Sequence, residues 1–296
     1  MTALGQANAE TTIGETIFRW GKRTYIMGVL NVTPDSFSGD GLGHNIQASI
    51  QQALAFQEQG ADIIDVGGQS TRPAGTVYGL GAEPISLHEE LDRVVPVVQR
   101  LSQILSIPIS VDTSKTEVAR QAVAAGAAAI NDVWALAAEP EMARTVAELG
   151  VPIVVMHNQH KYVYVNLLDD VITSLRHSVE RATTAGVKPE HIMIDPGIGF
   201  GKTAEQSVKI LHHLAQIKSA LGLPLVVGTS RKSLISAVLG ALPTSDRKEG
   251  TAATVALAIA GGADVIRVHD VREMVRVAQI SDAIVRGWSP LPKEEE

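Results

Sequence analysis

AGGADVIRVH (260–269) decides the fold: a helix end rich in small residues, a glycine pair, an apolar run, and polar residues at its close. The same order recurs in EQGADIIDVGG (58–68), AAGAAAINDV (124–133) and ELGVPIVVMH (148–157). Glycine after a helix can take a positive φ and turn the chain back into a strand. The runs are continuous in Val and Ile rather than alternating, the pattern of parallel strands covered by helices on both faces. Working outward, eight runs emerge: TYIMGVLN (24–31), ADIIDVGG (61–68), IPISVDT (107–113), AAAIND (127–132), PIVVMH (152–157), IMIDPG (192–197), PLVVGTS (224–230) and ADVIRVH (263–269). Helical stretches separate them at 46–59, 86–105, 115–125, 139–149, 167–185, 203–220, 231–240 with 246–261, and 270–286. Eight strand–helix units without a long linker predict an α/β chain, a single (β/α)8 TIM barrel over residues 15–288. ETIFRWGKRTYI (15–26) is expected to form a β-hairpin turning near Gly21–Lys22 and plugging the N-terminal end. Residues 1–14 are expected to be a flexible N-terminus, and 289–296 an acidic tail. The alternative architecture, a doubly wound open sheet, would gather its ligand residues at a switch point instead of spreading them over every strand end.

Composition narrows the functional classes. With 45% apolar residues in 296 there is material for a large core, and no cysteine, so disulfides, thiolate metal sites and cysteine nucleophiles are excluded. A formal charge of −7 argues against nucleic acid or an anionic membrane as partner, so any anionic ligand must be met by a local cluster of cations. The start MTALGQANAETTIGE lacks a basic n-region and an apolar h-region, and AATVALAIAGGA (252–263) is too short to span a bilayer. The expectation is a soluble, cytoplasmic protein acting on small molecules.

All strand ends of such a barrel open onto one face, where its chemistry lies. Asn31, Thr71, Asp112, Asn131, Asp195, Lys232, Arg267 and His269 sit at or just beyond those ends. Asn31 opens the Pro/Gly-rich stretch NVTPDSFSGDG (31–41), offering a neutral oxygen suited to Mg2+, or alternatively only a turn residue. Gly67-Gly-Gln-Ser-Thr71-Arg72-Pro73 combines close backbone approach with hydroxyl and guanidinium donors, which suits an anion. Asp112, Asn131 and Asp195 together can read a flat heterocycle presenting donors and acceptors; each alone could equally cap a helix. Lys232 in Ser230-Arg-Lys-Ser233 brings a point charge to a helix N-terminus, and Arg267 and His269, two apart on one strand, point two cationic donors to the same side. Phe200 in Asp195-Pro-Gly-Ile-Gly-Phe-Gly-Lys202 reads as a pocket wall or as core. That segment is not a P-loop, because the first glycine of the motif would fall on Pro196. His157 and His160 lack a third ligand at metal spacing, so zinc is not expected.

The motifs MGVLNVTPDSFS (27–38), GGQSTRPAG (67–75), VDTSK (111–115), IND (130–132), DPGIGFGK (195–202), GTSRKS (228–233) and RVH (267–269) make the chain resemble the dihydropteroate synthases, pterin-binding barrels of folate biosynthesis. The resemblance implies condensation of 6-hydroxymethyl-7,8-dihydropterin diphosphate with p-aminobenzoate, by an SN1-like displacement at the pterin methylene. It implies that Asp112, Asn131, Asp195 and Lys232 hold the dihydropterin, with Asp112, Asp195 and Lys232 as the catalytic set. Asn31 would hold Mg2+; Thr71, Arg72, Arg267 and His269 would meet the diphosphate; Pro73, Phe200, Lys232 and Ser233 would flank p-aminobenzoate. A homodimer through the late helices is implied as well. Two departures stand out: Gln69 where the family usually has Glu, and Asp40 one position later than the usual acid of the first loop. They favour an alternative, a catalytically idle pterin-binding paralogue, which a turnover assay separates. A pterin-barrel methyltransferase is the other alternative, but it has no use for a diphosphate cradle.

Overall fold

The computed structural model describes residues 9–32, 46–69 and 84–288. An antiparallel hairpin comes first, β1 (Glu10–Ile13) and β2 (Thr16–Arg19), pairing Glu10 with Arg19 and Ile13 with Thr16. It therefore lies upstream of the expected 15–26 and turns at Gly14, not at Gly21–Lys22. ETTI and TIFR each alternate so that Ile13 and Phe18 are fully buried, whereas Tyr25 already begins the first barrel strand. Residues 10–13 accordingly belong to an ordered strand rather than to a flexible lead.

Eight parallel strands follow, one in each predicted run: β3 (Tyr25–Asn31), β4 (Ile63–Gly67), β5 (Ile109–Asp112), β6 (Ala129–Asp132), β7 (Ile153–Met156), β8 (Ile192–Asp195), β9 (Val226–Val227) and β10 (Val265–Val268). Each of β3 to β7 pairs with the next, and β10 pairs with both β3 and β9. An isolated bridge between Ile194 and Leu225 completes the ring at the two-residue β9. The helices cover the outside: α1 (Ile46–Glu58), α2 (Leu87–Leu101), α3 (Thr116–Ala124), α4 (Met142–Leu149), α5 (Leu167–Thr184), α6 (Ala204–His212), α7 (Leu214–Leu221), α8 (Ser233–Leu239), α9 (Lys248–Ala260) and α10 (Val271–Val285). The stretch expected as one helix at 203–220 is thus divided at His213. No helix among the described residues is long and apolar enough to cross a membrane.

Successive strand residues face opposite sides, and this period separates two cores. Ile64, Val66, Ile109, Val111, Ile130, Ile153, Val155, Ile192, Ile194, Ile266 and Val268 pack outward against the helices. Tyr25, Met27, Ile63, Ala129, Val154, Met193, Val226 and Val265 point inward and form one cluster with Ile13 and Phe18 of the hairpin. The hairpin is therefore the stopper of the N-terminal end, as expected. Phe18, Trp20 and Tyr25 pack there with ring centroids 4.7–5.8 Å apart. Full burial of a side chain the size of Phe18 stabilises by roughly 1.5–3 kcal/mol.

Charges around this closed end are fully partnered. Asp264, completely buried, accepts from Lys218 Nζ at 2.7 and 2.8 Å and from the Leu225 amide at 2.8 Å. Asp282 takes the Thr24 amide and hydroxyl at 2.6 and 2.8 Å and Arg286 Nε at 2.7 Å.

Candidate active site

Climbing each strand by its period of two turns the barrel interior from apolar to charged. Ile63 is followed by Asp65 and Gly67, Ala129 by Asn131, Met193 by Asp195, and Val265 by Arg267 and His269. The inward positions thus bring carboxylates, an amide and cations to the C-terminal end of one barrel, at the predicted face.

Arg267 is the hub. Its Nε donates to Asp65 Oδ2 at 2.6 Å and its NH2 to Asp112 Oδ2 at 2.7 Å. Asn131 Nδ2 donates to the same Asp65 oxygen at 3.0 Å. Predicted residues Asp112, Asn131 and Arg267 therefore come together, through one that sequence reasoning missed, Asp65. Its signal was present: a carboxylate inside an apolar strand run, on the inward register, where a core side chain belongs. The Arg267 guanidinium thus pairs with two carboxylates at once. Asp65 Oδ1 and Asp112 Oδ1 are buried and have no hydrogen-bond partner among the described residues. Leaving a buried acceptor without a donor costs about 1–3 kcal/mol, so these oxygens favour a ligand that brings N–H groups. Burial raises the Asp112 carboxyl to about 7, opposed by Arg267 and assisted by the negative charge of Asp65.

Further round the same barrel end stand Asp195 and Lys232. Asp195 closes β8 and accepts the Gly197 amide at 2.7 Å. Burial raises its pKa, against the opposing charge of Lys232 and the Gly197 hydrogen bond. Lys232 directly precedes α8 and donates to the Ile198 carbonyl, its ammonium 4.5 Å from the centre of the Phe200 ring. Phe200 is half-buried and outside both core clusters. Burial lowers Lys232 to about 8, while Asp195 holds it up. The turn that aims Lys232 inward runs through Arg231 at φ 57°, a left-handed conformation that costs a non-glycine residue on the order of 1 kcal/mol. Thr251 receives the Arg231 amide, Arg247 donates to the Arg231 carbonyl, and Asp270 binds its guanidinium, so the turn is held on every side.

His269 lies beside Ser230, Nδ1 to Oγ 3.0 Å. Burial, then the charges of Arg267 and Arg231, lower it to about 3, so near neutral pH it offers a neutral imidazole and not the second cation that its sequence position suggested. Asn31 ends β3 opposite Gly67, where a Cβ would meet Asp112 Cβ at 3.6 Å, Asp112 Oδ2 at 3.7 Å and Asn31 Oδ1 at 3.8 Å, so two side-chain oxygens lie close to this glycine. Ser233 is the first residue of α8. Thr71, Arg72, Pro73 and Asp40 lie outside the described residues. Gln69 lies within them: its Oε1 accepts Lys115 Nζ at 2.7 Å and the Ile85 amide at 3.3 Å, and Lys115 also pairs with buried Glu90. His157 is engaged by Lys202, and no group of three or more potential His, Cys, Asp or Glu ligands occurs among the described residues.

Residues 27–269 match the family described as pterin binding enzyme. A dihydropteroate synthase of Synechocystis sp. is 48% identical over 281 residues, 93% of this chain and 94% of its own. This chain belongs to the dihydropteroate synthases. It is a transferase of the pterin-binding barrel family. A Clostridium difficile dihydropteroate synthase solved in the presence of pteroic acid superposes with a TM-score of 0.86 at 45% identity, covering 91% of this chain and 99% of that one. The Xanthomonas albilineans dihydropteroate synthase in complex with 7,8-dihydropteroate gives 0.84 at 37%, covering 93% and 98%.

Proposed function

We propose that the chain joins p-aminobenzoate to 6-hydroxymethyl-7,8-dihydropterin diphosphate in an SN1-like displacement, the methylene C–O bond breaking ahead of C–N bond formation, with release of diphosphate and an amine proton. The observation that carries this reading is the pair of partnerless buried oxygens on Asp65 and Asp112. The aminopyrimidinone edge of a pterin carries adjacent N–H donors that would meet them, while Asn131 and Lys232 supply donors for its acceptors. The product complex of the Xanthomonas relative supports the same substrate class.

The arylamine is a weak nucleophile, so the help lies in ionisation. Positive charge spreading from the methylene into the pterin would be stabilised by Asp112 and Asp195, fixed carboxylates in a pocket of low dielectric. Lys232 would hold the pterin, and with Phe200 and Ser233 flank the arylamine. Thr71, Arg72, Arg267 and His269 would serve the diphosphate, His269 as a neutral hydrogen-bonding group. Asn31, whose Oδ1 lies near Asp112 Oδ2 beside Gly67, would hold Mg2+, since this ion keeps several waters and needs few protein ligands besides substrate phosphate. When bound it supplies charge stabilisation for the leaving diphosphate. A homodimer through the late helices agrees with the exposed apolar Ile280, Ile284 and Trp288 on and after α10.

The test is diphosphate release with both substrates against a control lacking p-aminobenzoate. Release that depends on the amine is expected; none, or release independent of it, overturns the proposal. Titration with the diphosphate substrate and the bare hydroxymethyl pterin refines the site. Arg267→Ala is expected to weaken both, because it also strips Asp65 and Asp112 of their cation.

A further inference from the structure

Lys202 lies past the end of β8, takes no part in the mechanism above, and is only 5% exposed. Its ammonium is saturated: it reaches His157 Nδ1 at 2.7 Å and donates to the Gly197 and Phe200 carbonyls at 3.1 Å each. The chain between Asp195 and Lys202 is wrapped around that one cation. It is also pressed onto the segment following β7. A Cβ at Gly197 would stand 1.9 Å from the His157 carbonyl oxygen, and one at Gly201 2.6 Å from that of Gln159. Tyr164 Oη reaches over to donate to the Gly201 carbonyl at 2.7 Å. On its inner side the same loop sets the Phe200 ring against the Lys232 ammonium and offers Lys232 the Ile198 carbonyl.

We propose that Lys202, seated on His157, is a positioning residue that sets the loop from Pro196 to Gly201 and through it the places of Phe200 and Lys232. The inference rests on the proposed synthase reading only for the substrate it affects, the arylamine that Phe200 would flank. A buried Lys202 Nζ within hydrogen-bond distance of three acceptors fixes three points of the loop at once, which a lysine in solvent cannot do; burial lowers it to about 7 while Asp195 holds it up. His157 has to present an unprotonated Nδ1 for this, and burial together with Lys202 lowers it to about 3, leaving it neutral.

Two readouts test the assignment, on Lys202→Met, His157→Phe, which removes the acceptor, and His157→Asn, whose amide oxygen can replace Nδ1. Steady-state kinetics should show KM for p-aminobenzoate raised about tenfold in Lys202→Met and severalfold in His157→Phe, with kcat within about threefold, and near-native values in His157→Asn. The chain has four phenylalanines, so fluorine-labelled phenylalanine gives a spectrum in which the Phe200 resonance can be assigned by substitution. That resonance should move in Lys202→Met and His157→Phe and return in His157→Asn. If Lys202→Met does not fold, the two His157 variants decide. Lower melting temperatures with an unmoved Phe200 resonance, or no rescue by His157→Asn, overturn the proposal. Absence of turnover in the unaltered protein overturns the synthase reading instead, and the fluorine spectrum still decides Lys202.

Discussion

Asp264 and Asp112 are both buried carboxylates beside a cation, at opposite ends of one barrel. At the closed end Asp264 has its oxygens filled by Lys218 and a backbone amide. At the open end Asp112 keeps one oxygen without a donor although Arg267 is 2.7 Å from the other. Asp65, deeper still, does the same. A polar group whose partners are all protein belongs to the fold; one left incomplete in a dry place waits for a molecule. The difference should show in opposite responses to substitution.

The largest effect should fall at the open end. Asp195→Ala is expected to lower kcat/KM by roughly two to three orders of magnitude, equivalent to about 3–4 kcal/mol of transition-state stabilisation. Its thermal midpoint should fall less than that of Asp264→Ala: the Gly197 amide loses its acceptor, but a carboxylate whose charged form burial disfavours is removed as well. Steady-state kinetics with a calorimetric melt checks both halves, and near-native activity would break the comparison.

Asp264→Ala should do the reverse. It leaves the Leu225 amide without its acceptor and Lys218 without its counter-charge. Unfolding free energy should fall by about 3 kcal/mol in urea titration, with the folded fraction turning over normally.

A pH series sharpens the contrast through His157. Its ordinary value of 6.5 falls to about 3 in the folded chain, chiefly by burial, so the unfolded chain binds the proton more readily. The stability it contributes is complete above 6.5 and drains away as pH falls toward 3, at about 1.4 kcal/mol per pH unit. Urea melts from pH 6.5 to 4.5 should show that contribution as a difference: His157→Gln, neutral throughout, should lose stability less steeply than the unaltered chain by about that amount, the slope due to His269 remaining in both.

The smallest effect is expected at Thr203, a fully partnered group near the open end. It caps α6 by accepting the Gln206 amide, while the Gln206 side chain accepts the Thr203 amide. Thr203→Ala should cost about 1 kcal/mol of stability and leave turnover within about twofold. A large loss of turnover there would show that position, and not incomplete pairing, marks function.

The sequence is most legible where burial dictates it. Eight Val/Ile runs became eight strands because a strand covered on both faces has no tolerance for polar interruption. The hairpin slid because alternation continues through TIFRWGKRTYI, and only packing of Ile13 and Phe18 inside the barrel picks the upstream pairing. Asp112, Asn131, Asp195 and Arg267 were visible as polar residues at strand ends. Asp65 was overlooked because it precedes its strand's end by two residues, although the period of two aims it inward. Lys202 was weighed only as the lysine of a P-loop, since nothing local says that it folds back onto His157, 45 residues away. His269 looked cationic because sequence carries no record of how dry its surroundings are.

The seam at β9 carries a consequence of its own. β3 and β4 are laced through five registered pairs, but β9 is two residues long and reaches β8 by an isolated bridge at Ile194 and Leu225. Native-state opening is cheapest where few backbone bonds must break, so the ring is expected to open here before it does between β3 and β4. The strand ends flanking this gap carry Asp195 on one side and lead to Lys232 on the other. A molecule gripped by both would suture the barrel, and amide hydrogens of Ile194 and Val226 would slow their exchange with heavy water on binding while those of β3 and β4 would scarcely change.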